Sequence, residues 1–397
     1  MQHYRVNPAL AAELAEFGGE TLSRCFNCGN CTAICGLSKD DTVFPRKMIR
    51  YLQLGLEDRL IESPEPWLCY YCGTCSRTCP REAEPGELMM ATRRFLVSKY
   101  DWTGLSRRLY LSEAWEVGLL LITAIAVLAL FTVPGLLGLG FGFFSPALTA
   151  EAFDHVRLDL FAPKEVVHYG DWALAGFLGT LLGLNALRMI FFVRQGDPAL
   201  KVPLSVWIRK LYDLILHGVT QKRWLECDND TRMKWLQHFL LVTGYATMFL
   251  LVVAFLPAFQ RDGADFHWTA LFGYYGTVVL LGVTVLAMRS RLKKQEQIHR
   301  FSHITDWMFL VLLFLTALSG ILLHAVRLFD LPWPTYVFYV AHLMIAVPML
   351  VIEVPFGKWN HLVFRPVAQY LVAVREAAHA RQPAVAPSPR HAHAVAR

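Results

Sequence analysis

Residues 25–35 read CFNCGNCTAIC and residues 69–80 read CYYCGTCSRTCP. Each sets four cysteines in the pattern C-x2-C-x2-C-x3-C: Cys25, Cys28, Cys31 and Cys35, then Cys69, Cys72, Cys75 and Cys79. Three thiolates at two-residue gaps can wrap three corners of an iron-sulfur cubane, and the fourth, one residue further on, normally ligates the other cluster of a two-cluster module. The spacing therefore predicts two [4Fe-4S] clusters, one on Cys25, Cys28, Cys31 and Cys79, the other on Cys69, Cys72, Cys75 and Cys35. Structural zinc is the plain alternative, but zinc sites usually join two widely spaced pairs and rarely use eight thiolates in such a repeat. A disulfide framework is disfavoured, because the opening MQHYRVNPALAAELAEF has no apolar export core. Gly29 and Gly73 occupy the same place in each motif, where a missing side chain lets backbone amides approach the cluster sulfurs. Pro80 follows the second motif as expected, whereas Gly36 follows the first. The ninth cysteine, Cys227, stands apart and reads as a free thiol.

Outward from the motifs, the segment FPRKMIRYLQLGLEDRLIESPEPWL places Met48, Ile49, Leu52, Leu56 and Leu60 on one face of a helix, and LMMATRRFLV predicts a second helix after the last cysteine. The expected fold is all-α, a helical two-cluster ferredoxin module followed by a six-span transmembrane helical bundle. The chain of 397 residues is 55% hydrophobic and 18% charged, too apolar for an ordinary soluble protein. Apolar runs at 114–139, 166–193, 235–259, 269–288, 303–326 and 336–356 each suffice to cross a bilayer, which takes about 20 residues. Pro134 and Gly135 are expected to kink the first run or end it early. The domains are then 1–105, the cytoplasmic cluster module; 106–165, a connector with the first span; 166–375, a five-span cytochrome b domain; and 376–397, a disordered tail whose His391 and His393 carry no functional weight.

Lys and Arg number eight in 194–234 and five in 289–302, against two in 140–166 and one each in 260–268 and 327–335. By the positive-inside rule the cysteine module, both basic loops and both termini face the cytoplasm, in a multi-pass protein of the inner membrane. The net charge of +6 is thus topological, and nucleic-acid binding is unsupported. Within 194–234, VPLSVWIRKLYDLILHGV is amphipathic and expected on the membrane surface or against a partner.

Histidine inside a span is costly and tends to be functional. His238 opens the third span. His342 and His361 lie 19 residues apart, roughly 28 Å of continuous helix at 1.5 Å per residue, which would set one imidazole near each membrane face and suit two b haems. His155 and His267, in outer connections, and His299 and His303, beside a basic loop, read as solvated or interfacial. Glu353 is expected to reach the inner interface and pair with Lys358, a proton-path role being the alternative, and Arg188 to snorkel to the same face.

Residues 20–100 resemble the iron-sulfur subunit of heterodisulfide reductase, in the paired motifs, the basic-apolar helix between them and the W-L-C run at 67–69. Residues 166–375 resemble the cytochrome b (gamma) subunit of respiratory nitrate reductase, in His342 and His361, the following F-R-P-V-A-Q-Y-L, the approach WLQH to His238, and 273–291 ending in a basic cluster. That likeness implies a cytoplasm-side haem b on His238 and His361. It breaks at the outer haem, where Met248 stands in place of a second histidine and the His342-to-His361 interval is one residue long. His324 is the substitute candidate and His168 the runner-up; a single protein ligand, Met248 or no outer haem remain open.

The order of parts resembles the iron-sulfur and cytochrome b membrane component of quinone-interacting membrane-bound oxidoreductases (Qmo). That likeness implies electron exchange between menaquinone or another quinone, two b haems and two [4Fe-4S] clusters, with flavin- and iron-sulfur-containing cytoplasmic partners and adenylylsulfate reductase of dissimilatory sulfur metabolism. The rivals are another heterodisulfide-reductase-like membrane complex and a non-redox anchor with structural metal.

Overall fold

A computed structural model describes residues 5–38, 42–148, 151–226, 232–259, 262–301 and 303–381. Cys227, His391, His393 and the tail from Gln382 lie outside the described residues. The architecture is all-helical, with no strand among the described residues.

The N-terminal part carries α1 (Leu10–Glu16), α2 (Arg46–Gln53) and α3 (Pro85–Tyr100), with short helical turns at both cysteine motifs. Met48, Ile49 and Leu52 are buried on α2, as their spacing predicts. The expected single helix is nonetheless broken: Gly55 takes φ +69° and a new short helix, Glu57–Ile61, follows. The break lets the Asn7 N–H donate to the Gly55 carbonyl at 2.8 Å and the Asn7 amide to Glu57 at 2.7 Å, tying the N-terminal strap to the turn. A Cβ at Gly55 would run into the Asn7 backbone. Gly55→Ala should therefore cost about 1–3 kcal/mol, from a left-handed backbone plus the clash, read as a lower midpoint for thermal loss of cluster absorbance.

Among the described residues, six helices are long and apolar enough to cross a membrane: α4 (Glu113–Leu136), α5 (Lys164–Gln195), α7 (Arg232–Val253), α8 (Ala270–Leu292), α9 (Ile304–Leu328) and the stretch Pro332–Phe356, which begins as α10 (Pro332–Pro348). Ile122, Ile125, Leu187, Phe191 and Val278 face outward, each at least 61% exposed, a surface that lipid rather than water would cover. Pro134 does not end α4, which continues to Leu136. At one end the 140–165 connection folds back as a cap: Phe161 stacks on Tyr336 at 4.6 Å, His155 pairs with Asp330 at 2.5 Å, and Arg157 meets Asp262 at 2.9 Å.

The last span departs from a straight rod. After Pro348 the chain makes a π turn, Met349–Glu353, then a short helix through Pro355, an extended Gly357 and a 3-10 turn, before α11 (His361–His379) begins. Pro355 cannot donate to the helical ladder, and Gly357 leaves it altogether. His342 and His361 therefore belong to different helices, and the continuous 28 Å helix expected between them does not form.

α11 is instead part of the cysteine module's core. Phe364, Ala368 and Leu371 of α11, and Met189 and Val193 of α5, share one buried cluster with Leu10, Phe17, Ile49, Phe95 and Tyr100. Phe364 lies against Trp67 at 5.0 Å and Tyr100 at 5.4 Å. Arg188 accordingly donates to the Tyr100 carbonyl at 2.9 Å and the Lys99 carbonyl at 3.2 Å, closing the C-terminus of α3 rather than simply snorkelling. The amphipathic stretch forms α6 (Leu204–Thr220) and packs on α11 through Trp207 and Tyr370. Its other face, Leu204, Ile208, Tyr212, Ile215 and Val219, is at least 60% exposed.

The expected Glu353–Lys358 pair is absent. Lys358 instead bonds Asp306, in the first turn of α9, and Arg291 reaches the same carboxylate at 3.7 Å. Asp306 is 5% exposed and sits at the positive end of the α9 dipole. Asp306→Asn should destabilise the protein by on the order of 2–3 kcal/mol, less than a fully buried pair because part of the Lys358 side chain meets solvent. A lower thermal unfolding midpoint checks this.

Candidate functional site

The two cysteine motifs fold alike. Asn27 and Tyr71 hold φ of +56° and +55°, and Gly29 and Gly73 hold +90° and +77°, so a left-handed residue stands on each side of Cys28 and of Cys72. Successive turns of this kind aim N–H groups into one concavity. Asn27 N–H donates to Cys25 Sγ and Tyr71 N–H to Cys69 Sγ, both at 3.4 Å. The glycines then start the short helices Asn30–Ile34 and Thr74–Arg77, which carry the third cysteine of each motif.

The motifs are interleaved. Cys25, Cys28, Cys31 and Cys79 line one cavity together with Phe26, Arg46 and Arg81. Cys35 lies beside Cys69 and Cys72, and Cys75 beside Cys69, Cys72 and Cys35. Burial first, then neighbouring thiols, push the Cys31 and Cys75 pKa up, and burial with nearby Cys69 and Cys72 takes that of Cys35 to about 11. Crowded thiols of this kind cannot carry thiolate charge unaided, so the donor set suits a positively charged iron core. All eight are free of disulfides. Among the described residues no three Cys, His, Asp or Glu side chains converge as a single metal ion requires. Four thiols around a cavity suit a multi-iron cluster better than one tetrahedral zinc.

His238 and His361 are brought together just beneath the second motif. His238 Nδ1 meets Gln221 Oε1 at 2.5 Å, and His361 Nδ1 meets the Lys358 carbonyl at 2.7 Å. Both acceptors call for a proton on Nδ1, which leaves the Nε2 lone pairs available, the tautomer a haem-ligating imidazole needs. Burial, with His238 and Arg365 close by, lowers the His361 pKa to about 3, so its ring is neutral at physiological pH. Trp224 lies 5.0 Å from the His238 ring and 5.0 Å from Tyr70, which sits between Cys69 and Cys72 in the chain. The Arg365 guanidinium lies 3.9 Å over the Tyr70 ring and 5.6 Å over Trp224. Arg93 donates to the carbonyls of Pro66 and Cys69 from the other side.

The other predicted histidines separate. His342 Nδ1 meets Ser319 Oγ at 3.0 Å and its ring packs on Gly320. His324 engages Nε2 itself, with the Tyr274 hydroxyl at 2.8 Å. His168 Nε2 accepts from Trp172 at 3.1 Å. Met248 places its thioether in the notch left by Gly276 on α8. Sequence reasoning missed Tyr70, Gln221, Trp224 and Arg365, which come from three distant segments of the chain; the only local signal was Arg365 one helical turn after His361.

Residues 21–83 match the 4Fe-4S dicluster domain family. The chain carries an N-terminal 4Fe-4S dicluster domain similar to the iron-sulfur C chain of heterodisulfide reductase. It is 39% identical over 92 residues to a protein of Archaeoglobus profundus that is itself described as like that heterodisulfide reductase component, covering 23% of this chain and 49% of that protein. It is 35% identical over 102 residues to the corresponding iron-sulfur component of the CoB–CoM heterodisulfide reductase of Methanopyrus kandleri, covering 24% of this chain and 53% of that one. The chain thus spans about half the length of the curated relatives it matches. No solved structure matches it. Among the described residues, this dicluster domain is joined to six helices long and apolar enough to cross a membrane, which is consistent with a multi-pass membrane protein.

Proposed function

We propose that the chain conducts electrons between cytoplasmic partner subunits and a membrane quinone pool, with menaquinone as the first candidate. The observation that carries this reading is the continuous packing from the second cysteine motif through Tyr70, Arg365 and Trp224 to the paired rings of His238 and His361. Clusters and haems, when bound, supply one-electron carriers, and a quinone supplies the two-electron, two-proton exchange.

The residues divide the work as follows. Cys25, Cys28, Cys31 and Cys79 hold the outer cluster, at whose rim Cys28 and Phe26 are exposed to a docking partner. Next to it a groove of about 550 Å³ runs between α1 and Cys25, lined by Ala11, Ala15, Arg50 and Gln53, and receives that partner. Cys69, Cys72, Cys75 and Cys35 hold the inner cluster against the membrane domain. His238 and His361 hold a haem b, with Gln221 and the Lys358 carbonyl fixing their tautomers. His342 holds a second haem from Nε2; His324 would join it through Nε2 only by releasing Tyr274. The basic loops 194–234 and 289–302 lie at the dicluster end, as Trp224 and residues 297–300 meet that domain, which supports a cytoplasmic placement of this end in the inner membrane. The partners would be flavin- and iron-sulfur-containing subunits, and adenylylsulfate reductase is the proposed soluble acceptor or donor, in the manner of Qmo complexes.

Purified protein should contain acid-labile sulfide with about eight iron atoms in clusters, and should show b-type absorbance on reduction by a quinol. Zinc in place of iron, or absence of haem absorbance, overturns the reading. Arg365→Leu should retain both cofactor contents while slowing electron equilibration between haem and clusters, measured by stopped-flow absorbance. Unchanged kinetics would remove the Arg365 bridge.

A further inference from the structure

Two carboxylic acids face each other inside the membrane bundle, on helices that sequence places far apart. Glu116 lies one turn into α4 and Glu353 ends the π turn; they are 1% and 0% exposed. The two carboxyl groups are within hydrogen-bonding range of each other, and the backbone N–H of Lys358 approaches Glu353. None of the four oxygens has a donor of good geometry. Gly357 packs directly on the Glu353 carboxyl, where a Cβ would collide with it.

A third polar side chain is buried at the same level. Asn185 on α5 is 1% exposed and neither its amide nitrogen nor its oxygen has a partner. One turn before it, Leu181 packs with Leu120, Ile352 and Phe356; one turn after it, Met189 packs in the cluster that contains Tyr110. Leu120, Ile352 and Phe356 flank Glu116 and Glu353 in the chain, so Asn185 sits at the same level of the bundle as the acid pair.

The charges around the pair are already engaged. Arg94 is bound to Glu87 at 2.7 Å, and Lys358 and Arg291 to Asp306. Glu113, on the same helix as Glu116, adds negative charge. The Tyr110 hydroxyl donates to the Gly357 carbonyl at 2.9 Å and accepts from Asn360 at 3.3 Å. Two ionised carboxylates cannot remain side by side in an apolar interior, so the pair must take up a proton or another cation. A hard divalent cation such as Ca²⁺ or Mg²⁺ would want six or more oxygens, and no three acidic or other metal-ligating side chains converge here among the described residues. A proton needs two.

We propose that Glu116 and Glu353 form a proton-binding site, holding one exchangeable proton between their carboxyl groups. A proton taken from surface water would occupy an O–H···O bond between the two side chains. The amide of Asn185 can donate to one oxygen or accept the proton's hydrogen bond as it moves. The site places acid-base capacity inside the membrane domain at the level where electrons would cross from clusters to imidazoles.

Infrared spectroscopy on the full-length holoprotein in detergent tests this without turnover. The wild type should show a protonated-carboxyl C=O band that shifts down in D2O. Glu116→Gln with Glu353→Gln together should abolish it while cluster absorbance and helical circular dichroism are retained. Gly357→Ala, which crowds the Glu353 carboxyl, should move the band without abolishing it. A band that persists in the double variant, a band insensitive to D2O, or a band that disappears when Na⁺ is added would each overturn the proposal, the last by making the site a cation site. If the double variant does not accumulate, the Gly357→Ala shift and the D2O response decide alone. Neither readout depends on quinone or haem assignments, so their failure and failure of the electron conduit are distinguishable.

Discussion

Cys79→Ser should remove the cluster held by the first motif, not the second. Although Cys79 belongs to the second motif in sequence, it lines the cavity of Cys25, Cys28 and Cys31, while Cys35 faces Cys69 and Cys72. Serine keeps the size of the side chain but gives a poor iron ligand, so cluster iron should fall from about eight to about four atoms per chain. The electron paramagnetic resonance signal lost in Cys79→Ser should be the one lost in Cys28→Ser. Cys35→Ser should instead match Cys72→Ser. If Cys79→Ser matched Cys72→Ser, each motif would ligate its own cluster and the crossed assignment would be wrong. The arrangement also bears on direction: the first-motif cavity opens toward exposed Cys28 and Phe26, whereas Cys69 is buried toward the membrane domain. Loss of the outer cluster should therefore abolish exchange with a soluble partner while the inner cluster still equilibrates with the membrane centre.

The parts legible in the sequence were those written in local spacing. The cysteine repeat announces its ligand type within eleven residues, and each span announces itself by an apolar run of bilayer length. All six runs appear as helices, with ends displaced by up to six residues. What local spacing does not encode is which distant segments meet. The module and the membrane helices read as consecutive domains, yet Met189, Phe364 and Leu371 complete the core that Leu10 and Phe95 begin. The Glu353–Lys358 pair was a reasonable inference from helical proximity, but it assumed a helix through Gly357. Once the chain leaves the helix there, Lys358 swings to Asp306 and Glu353 is left against Glu116, 237 positions away in sequence. Gly55 defeats the α2 reading in the same way: the apolar period continues across it, but the backbone does not.

His361→Ala should eliminate the haem at the dicluster end and cut quinol-driven reduction of the clusters. The ring opens α11, is pinned through Nδ1 by the Lys358 carbonyl at 2.7 Å, and stands close to His238. Alanine removes a ligand for which no neighbouring side chain substitutes: Arg365 is cationic, and Lys358 is bound to Asp306. If two haems are present, b-type absorbance should fall to about half, since each haem is a separate one-electron centre. His238→Ala should remove the same spectral component, as expected of two rings proposed to share one iron. Phe364, one turn on, is wedged between Trp67 and Tyr100, so alanine at 361 risks loosening α11 from the module. His361→Gln controls for this, as its amide can still donate to the Lys358 carbonyl while offering no imidazole. It should keep the clusters and lose the haem. His324→Ala is expected to be mild by comparison, because that ring already spends Nε2 on Tyr274. If His361→Gln retained full haem absorbance, or if His238→Ala and His361→Ala removed different components, the two rings would not share an iron and the path from Tyr70 through Trp224 would end on protein alone.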